Sequence, residues 1–202
     1  GDGKDELLEG LYRAYDLCSE RGHEDLLAAG RDWGYDPDPE DKLPVECLSL
    51  KVRTEKEDTF NLAYDRNTVW RAERFSLFRG KETRAIADIP AAAQLFQKKL
   101  AEVFKEDKNS DRVLVRHYSE GDYTNVIVYH EKRTKAELVF KGTKSRFMVT
   151  STILRPAQQD FISYNNKTGQ VEIEARFEKE EAALRKHFAE CCLGDADFFE
   201  GV

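Results

Sequence analysis

Long apolar runs are missing from this sequence. No stretch approaches the roughly 20 consecutive apolar residues that a membrane-spanning helix needs, and there is no signal-peptide or lipidation motif in the printed chain. The sequence therefore predicts a protein without a membrane partner, and a cytoplasmic location.

Cysteine is scarce, and its placement does not indicate a disulfide framework. The four cysteines are Cys18, Cys47, Cys191 and Cys192. The last two are adjacent, and neighbouring cysteines rarely bridge each other, so the spacing is unlike that of a small secreted protein. The CxxC and HExxH patterns of many zinc sites are also missing. Reduced thiols agree with the predicted cytoplasmic location.

Positive charge is in short supply in the first part of the chain. Residues 1–46 hold 14 acidic residues against 5 basic ones, and the remaining residues hold 25 against 27, for a net charge of −7. Nucleic-acid binding depends on lysine and arginine close to phosphates. The overall charge therefore argues against a generally basic nucleic-acid binder.

Strand patterns dominate the second half of the chain. Residues 112–176 contain about six short segments with apolar residues at every second position, separated by turn sequences. In the last one, Val171 and Ile173 alternate with Glu172 and Glu174, after a turn that closes on Gly169. We predict a largely antiparallel sheet here. Alternation also predicts further strands at 47–53, 59–64 and 68–78, with a turn at 65–67.

Helical patterns surround the predicted sheet. Apolar residues at three- and four-residue spacing predict helices at 5–19, 24–29, 88–106 and 178–193. Asp88 is placed to cap the third of these, and Gly194 to end the fourth. The predicted fold is therefore α+β: an antiparallel sheet covered by helices near 88–106 and 178–193, with a helical N-terminal segment.

The acidic, turn-rich residues 33–42 suggest a linker. We predict an acidic helical segment with its linker at 1–42 and an α+β domain at 43–202, with a single compact unit as the alternative. The chain begins with glycine and ends soon after Phe198 and Phe199. These ends suggest a domain excised from a longer protein, and both phenylalanines are expected to be buried either within this chain or against a segment that was cut away.

A local cluster of basic residues is the main candidate binding site. Between Glu131 and Arg146, six basic residues stand against two acidic ones. The cluster is expected to meet phosphates, an acidic protein surface or the acidic N-terminal part of this chain. Protection of a sheet edge by lysine explains the same pattern equally well. The six residues are Lys132, Arg133, Lys135, Lys141, Lys144 and Arg146.

A second, weaker pattern concerns metal binding. His187 and Cys191 lie four residues apart on one helix face, with Cys192 beside them. Buried cysteines that act as small apolar residues explain this pattern better. The sequence therefore predicts no metal site and no cofactor.

No catalytic motif stands out, and three hypotheses remain open. The leading one is a non-catalytic interaction or ligand-binding domain whose partner is another protein or the rest of its own chain. A helix packed across a sheet can also enclose a small-molecule pocket. The first alternative is a metal-dependent hydrolase or nuclease with scattered carboxylates such as Glu172 and Glu174. The second is nucleic-acid binding through the basic residues of 131–146.

Overall fold

The chain folds into two compact units, residues 1–73 and 74–202. The computed structural model describes residues 2–40, 42–69, 75–108, 110–143 and 146–200. Residues 43–73 belong to the first unit, although the sequence analysis placed them in the α+β domain. Whether 1–42 and 43–202 form separate domains stays a prediction.

The first unit consists of four helices: α1 (Asp2–Asp16), α2 (Glu20–Asp32), α3 (Val45–Glu55) and α4 (Glu57–Val69). Ser19 caps α2, because its hydroxyl accepts a hydrogen bond from the Gly22 amide at 3.0 Å. Leu26, Leu48 and Phe60 are buried in this unit. Helices therefore occupy the predicted N-terminal positions.

The strands predicted at 47–53 and 59–64 are wrong, and so is the turn at 65–67. These residues lie in α3 and α4. In α3, Leu48 and Val52 are buried four residues apart, the spacing of one helix face. Ser49 lies beside them and donates a hydrogen bond to the Ala14 carbonyl at 2.9 Å. An alternating pattern of three apolar residues was too short to distinguish this helix from a strand.

The strand predicted at 68–78 is correct only at its end. Thr68 and Val69 belong to α4, residues 70–74 lie outside the described residues, and the strand β1 covers Ser76–Arg79. This strand opens the second unit, which also contains the six predicted strands and two helices. The remaining elements are α5 (Ile89–Lys108), β2 (Val113–Glu120), β3 (Tyr123–Glu131), β4 (Lys135–Thr143), β5 (Arg146–Leu154), β6 (Ala157–Asn165), β7 (Gln170–Glu174) and α6 (Glu178–Phe188).

The predicted α+β class is confirmed, with the strands of the second unit divided between two sheets. Five form an antiparallel sheet in the order β1-β7-β6-β3-β2, and β4 and β5 form a separate antiparallel ribbon. Helices α5 and α6 cover one face of the five-stranded sheet, where Phe96 and Phe188 meet Ile162 and Ile173 in the core. The predicted cover of the sheet by these helices is thus correct.

Both covering helices begin or end where the sequence indicates. The Asp88 carboxylate accepts a hydrogen bond from the Ala91 amide at 3.0 Å, which caps α5. Helix α6 continues as a π-helical segment, Ala189–Leu193, and stops at Gly194 with φ of 73°. A positive φ is easily adopted by glycine, which explains the end of the helix there.

The last described residues complete the core of the second unit. Phe198 and Phe199 are buried in the core of this unit, the first of the two predicted alternatives. A Cβ atom at Gly80 would lie 2.1 Å from the Phe198 ring, so this contact requires glycine. The Lys81 amide donates a hydrogen bond to the Phe198 carbonyl at 3.0 Å. Within the described ranges, no helix combines the length and apolar character needed to cross a bilayer.

Candidate ligand-binding site

One end of the covered sheet face is polar. Side chains alternate between the two faces of a strand, so on β3 the buried Val128 is followed on the same face by His130. On β6, Gln158 and Asp160 precede Ile162 on that face, with His130 opposite Gln158 and Val128 opposite Asp160. The regular alternation of two neighbouring strands therefore carries three polar side chains beneath the helices.

Two helix ends add opposite charges to this place. Lys108 is the last residue of α5, and Glu180 lies in the first turn of α6. A lysine at the C-terminal end of a helix and a glutamate at the N-terminal end both interact favourably with the helix dipoles. Five side chains thus meet at this place, and each is at most 7% exposed. We term them the buried polar cluster: Lys108, His130, Gln158, Asp160 and Glu180.

The members of the buried polar cluster form one continuous hydrogen-bond network. Lys108 pairs with Glu180, and its Nζ lies 3.1 Å from His130 Nδ1. His130 Nε2 lies 2.8 Å from Asp160 Oδ2. Gln158 Nε2 donates to Asp160 Oδ1 and to Glu180 Oε2, both at 2.7 Å. Both carboxylates are therefore held by at least two donors.

The network defines the proton positions in its centre. An ammonium group can only donate hydrogen bonds, so the 3.1 Å contact with Lys108 favours an unprotonated Nδ1 on His130 over the longer contact of the same nitrogen with the Glu131 carbonyl at 3.4 Å. The proton of the neutral imidazole then lies on Nε2, which donates to Asp160. The orientation of the Gln158 side-chain amide follows in the same way. Its nitrogen faces the two carboxylates, because carboxylates accept hydrogen bonds and only the nitrogen can donate them.

The buried polar cluster has an excess of negative charge. Lys108 neutralises one of the two carboxylates of Asp160 and Glu180, and the imidazole is neutral in the arrangement above. The Phe104 ring lies beneath the ammonium, 4.4 Å from Nζ, and adds a cation–π contact. Its centroid is also 4.5 Å from that of the His130 ring. The surroundings therefore fix the position of Lys108 from several directions.

A metal ion is one group that three of these residues could hold. Ligand atoms of His130, Asp160 and Glu180 lie within 4.8 Å of one another, the one such group among the described ranges. The donor types suit zinc. However, the Lys108 ammonium already contacts both His130 and Glu180. An ion would have to displace this cation, so the arrangement fits a metal poorly.

A pocket of about 470 Å³ opens beside the buried polar cluster. Its entrance is basic, because Lys132, Arg133 and Lys179 all line it, and the Phe177 side chain supplies an apolar wall. A hydrogen bond from Lys179 holds the pKa of Asp107, which also lines the pocket, below its usual value. The remaining lining residues are Lys108, Gln158 and Glu180.

One buried polar atom of a pocket-lining residue has no hydrogen-bond partner. Gln158 Oε1 is buried without a hydrogen bond, although the nitrogen of the same amide donates twice. Buried polar atoms are nearly always satisfied, and each exception needs an explanation. Gln158 lines the pocket, but this oxygen is itself closed to solvent, so a donor in the pocket would reach it only after a shift of the Gln158 side chain.

The predicted basic cluster is divided between two places. Lys132 and Arg133 lie at the pocket entrance, whereas Lys135, Lys141 and Arg146 lie on the β4–β5 ribbon. Lys144 lies outside the described residues. Binding by these residues stays a prediction, and the structure brings two of them together with Lys179, which the sequence analysis did not select.

The weak metal candidates near the chain end lie apart from the pocket. His187 Nδ1 is 2.9 Å from a carboxylate oxygen of Glu190. Burial raises the pKa of Cys191 to about 11 and, most strongly, that of Cys192 to about 12. Both cysteines pack against the hydrophobic core. Zinc binds thiolates, so these raised pKa values disfavour metal binding at neutral pH.

The carboxylates suggested for a hydrolase lie on the other face of the sheet. Glu172 is exposed, while Glu174 is half-buried, and its burial followed by the charge of Asp160 raises the pKa of Glu174. Neither belongs to the described group of possible metal ligands. Within the described part of the chain, neither carboxylate therefore has the close set of ligand atoms that a metal site needs.

Sequence reasoning missed the buried polar cluster, although part of the signal was present. The same alternation that directs Ile162 inward also directs Asp160 and Gln158 inward. By contrast, nothing in the sequence indicates that Lys108 and Glu180, at the ends of two separate helices, meet there. No protein-family model matches the chain, and no curated protein matches it either.

Proposed function

We propose that the second unit is a ligand-binding domain for a small molecule with an anionic group at one end and a hydrogen-bond donor at the other. The observation that carries the proposal is the pocket itself, with basic residues at its entrance and Glu180 in its lining, beside the buried and unsatisfied Gln158 Oε1. An amine with a phosphate or carboxylate group is the ligand class that meets both requirements.

The entrance supplies the attraction for the anionic group. Arg133 and Lys179 both contact Asp107, yet the entrance has three cations, with Lys132 as the third. Hydrogen bonds from arginine or lysine to phosphate or carboxylate are short and strong. The ligand's anionic group would therefore lie at the entrance, where water still reaches it.

The interior suits a donor. The excess negative charge of Asp160 and Glu180 lies close to Gln158, and the amide nitrogen of Gln158 already serves both carboxylates. An ammonium or amide N–H placed beside Glu180 would reduce the excess charge, and it would also satisfy Gln158 Oε1 once that side chain shifts toward the pocket. A second anionic group would be repelled here, which gives the pocket a preferred orientation for its ligand.

The lining favours binding rather than covalent chemistry. The pocket-lining residues in the described part of the chain include no serine, threonine or cysteine, the hydroxyl and thiol side chains that attack substrates. Lys108, the buried amine of the pocket lining, is held in an ion pair with Glu180. An enzyme would need a less restrained base or nucleophile.

A titration with three simple probes tests this function. O-phosphoethanolamine, inorganic phosphate and ethanolamine are added to ¹⁵N-labelled protein, and the resonances of residues 131–133 and the Gln158 side chain are followed. We expect saturable shifts with phosphoethanolamine, weaker binding of phosphate and none of ethanolamine. The double variant Lys132→Gln, Arg133→Gln should weaken binding roughly tenfold, equivalent to about 1.4 kcal/mol.

A matched control separates the pocket from general charge. Lys98→Gln, Lys105→Gln removes the same charge from exposed positions on α5 and should leave binding unchanged. Equal weakening by both double variants, or the absence of saturable shifts with every probe, would contradict the proposal. Stoichiometric metal in the purified protein would also contradict it, since the cluster would then be a metal site.

A further inference from the structure

The pocket beside the buried polar cluster is larger than a short aliphatic ligand needs. Its volume of about 470 Å³ lies in the range of roughly 300–1,000 Å³ in which proteins hold drug-sized ligands. Its lining comes from the end of α5, the residues after β3, the start of β6 and the first turn of α6. A ligand that fills this space has a body between its anionic end and its donor end.

An exposed aromatic ring forms the wall against which that body would lie. Phe177 lines the pocket, is 55% exposed and lies outside the hydrophobic core that the described residues form. It occupies the position before the first residue of α6, where serine, threonine, aspartate or asparagine would cap the helix, and its side chain makes no capping hydrogen bond. Neither packing nor capping therefore explains a phenylalanine here, whereas stacking of a planar ligand does.

The entrance of the pocket matches a phosphate group in charge. Three cations line it together with the carboxylate of Asp107, which contacts both Arg133 and Lys179. The third cation is Lys132. A phosphate monoester carries about −1.5 to −2 charges at neutral pH, so it complements the positive excess more fully than a single carboxylate would. Arginine and lysine also form short, strong hydrogen bonds with phosphate oxygens.

Glu180 in the pocket lining can distinguish one nucleobase from another. One of its oxygens accepts a hydrogen bond from Lys108 and the other accepts one from Gln158, and a carboxylate has about four acceptor sites in all. A planar group with two adjacent N–H donors matches the remaining capacity, as the fork of arginine matches a carboxylate. Guanine has such a pair, N1–H and the 2-amino group. Adenine and cytosine place an unprotonated ring nitrogen beside their amino group, which the carboxylate repels.

We propose that the ligand of this pocket is a guanine mononucleotide, an inference that rests on the ligand-binding function proposed above. Its phosphate lies among the three cations of the entrance, its base stacks on Phe177, and N1–H and the 2-amino group donate to Glu180. The ribose spans the distance between the two ends. The reverse orientation would bring the phosphate close to the buried carboxylates of Glu180 and Asp160, which would repel it.

Changes in the ligand test each contact while the buried ion pair of the protein stays intact. In calorimetric titrations of the full chain, guanosine monophosphate should bind at least roughly tenfold more tightly than phosphoethanolamine, because its base adds the stacking contact. Inosine monophosphate lacks the 2-amino group alone and should bind roughly tenfold more weakly than guanosine monophosphate. Adenosine monophosphate should bind more weakly still. Guanosine, which lacks the phosphate, should lose the contribution of the entrance.

A change in the protein tests the aromatic wall. Phe177→Ala should weaken the binding of guanosine monophosphate at least roughly tenfold and leave that of phosphoethanolamine unchanged, because the second probe has no ring to stack. Phe177→Trp should retain nucleotide binding. The control Phe140→Ala removes an exposed phenylalanine of β4 that does not line the pocket, and it should change neither affinity. Thermal unfolding of each variant verifies that the fold is retained.

The titrations separate this inference from the proposed function. Binding of phosphoethanolamine without tighter binding of guanosine monophosphate would overturn the nucleotide assignment and leave the proposed function standing. Equal affinities for the guanine and adenine nucleotides would show that Glu180 does not contact the base, and an unchanged affinity of Phe177→Ala would exclude stacking on this ring. If no probe binds saturably, the proposed function itself is wrong, and the nucleotide assignment with it.

Discussion

The two ends of one sheet face differ sharply in chemistry although both are buried. At one end, Ile162 and Ile173 meet Phe188 in an apolar core. At the other, the same strand β6 contributes Asp160 to a network with His130 at the end of β3. Asp160 and Ile162 are both 0% exposed, so burial alone does not distinguish the two ends.

The comparison shows what each end requires of its neighbours. Apolar side chains gain stability from burial without fixed directions. Buried charges, in contrast, are tolerated only when every partner is in place, and replacing them by apolar residues is often neutral or stabilising. The polar end thus stabilises the fold no more than an apolar end would. We infer that its value lies in the pocket beside it.

Removing one partner of the buried ion pair should have the largest effect. Lys108→Ala leaves Glu180 and Asp160 as buried carboxylates without their cation, and it should destabilise the second unit by about 3–5 kcal/mol. Hydrogen exchange of the β3 and β6 amides reports the stability of this unit separately from the helical one.

The matched control removes both charges together. Lys108→Met with Glu180→Gln keeps similar volumes and leaves no unpaired ammonium or carboxylate in this pair, so most of the lost stability should return, to within about 1–2 kcal/mol of the parent. A double variant as unstable as Lys108→Ala would mean that packing, rather than charge, dominates the polar end.

A conservative change at the apolar end should have a smaller effect. Ile162→Val removes one buried methylene and should destabilise the same unit by about 0.5–1.5 kcal/mol, measured by the same exchange. Phosphoethanolamine binding should be unchanged, because Ile162 does not line the pocket. A comparable loss of binding would show that the two ends are not separable.

The smallest expected effect concerns the exposed charges at the pocket entrance. The hydrogen bond from Lys179 lowers the pKa of Asp107 in the folded state, so the ionised carboxylate stabilises the fold at neutral pH. This stability is lost as pH falls below 3.8, the ordinary pKa of an aspartate, and through the lower folded pKa of Asp107. Lys179→Ala should therefore cost a few tenths of a kcal/mol at pH 7, and the difference should vanish in acid. Urea unfolding at both pH values checks this; a difference that persists in acid would exclude the ion pair as its cause.

The sequence was most informative where a pattern was long. Six strands between 113 and 174 and the capped helix α5 were correctly predicted, since alternation, turn glycines and Asp88 all agreed. The alternation misled at 47–64. Few apolar residues there fit the spacing of either a strand or a helix, and tertiary packing made these segments helical. The division of the strands into a sheet and a separate ribbon depends on pairing, which alternation does not specify.

The candidate site was far less predictable. Asp160 and His130 can be assigned to the covered face from strand alternation, but their neighbours come from helix ends distant in sequence. Lys132 and Arg133 were selected from the sequence for their charge alone. In the structure, Lys179 lines the same pocket. When a site is formed by residues of several separate elements, its chemistry can be inferred only after the three-dimensional arrangement of those elements is known.

The packing of Phe198 on Gly80 imposes an order on the assembly of the second unit. Gly80 follows the first strand of this unit and Phe198 comes after its last helix, so Gly80 is synthesised long before the residue that packs on it. A nascent chain can pair β2 with β3 early, because that hairpin is local. Its edge near β1 stays open until translation has passed Phe199, and ribosome-bound chains halted before that residue should expose apolar surface to chaperones.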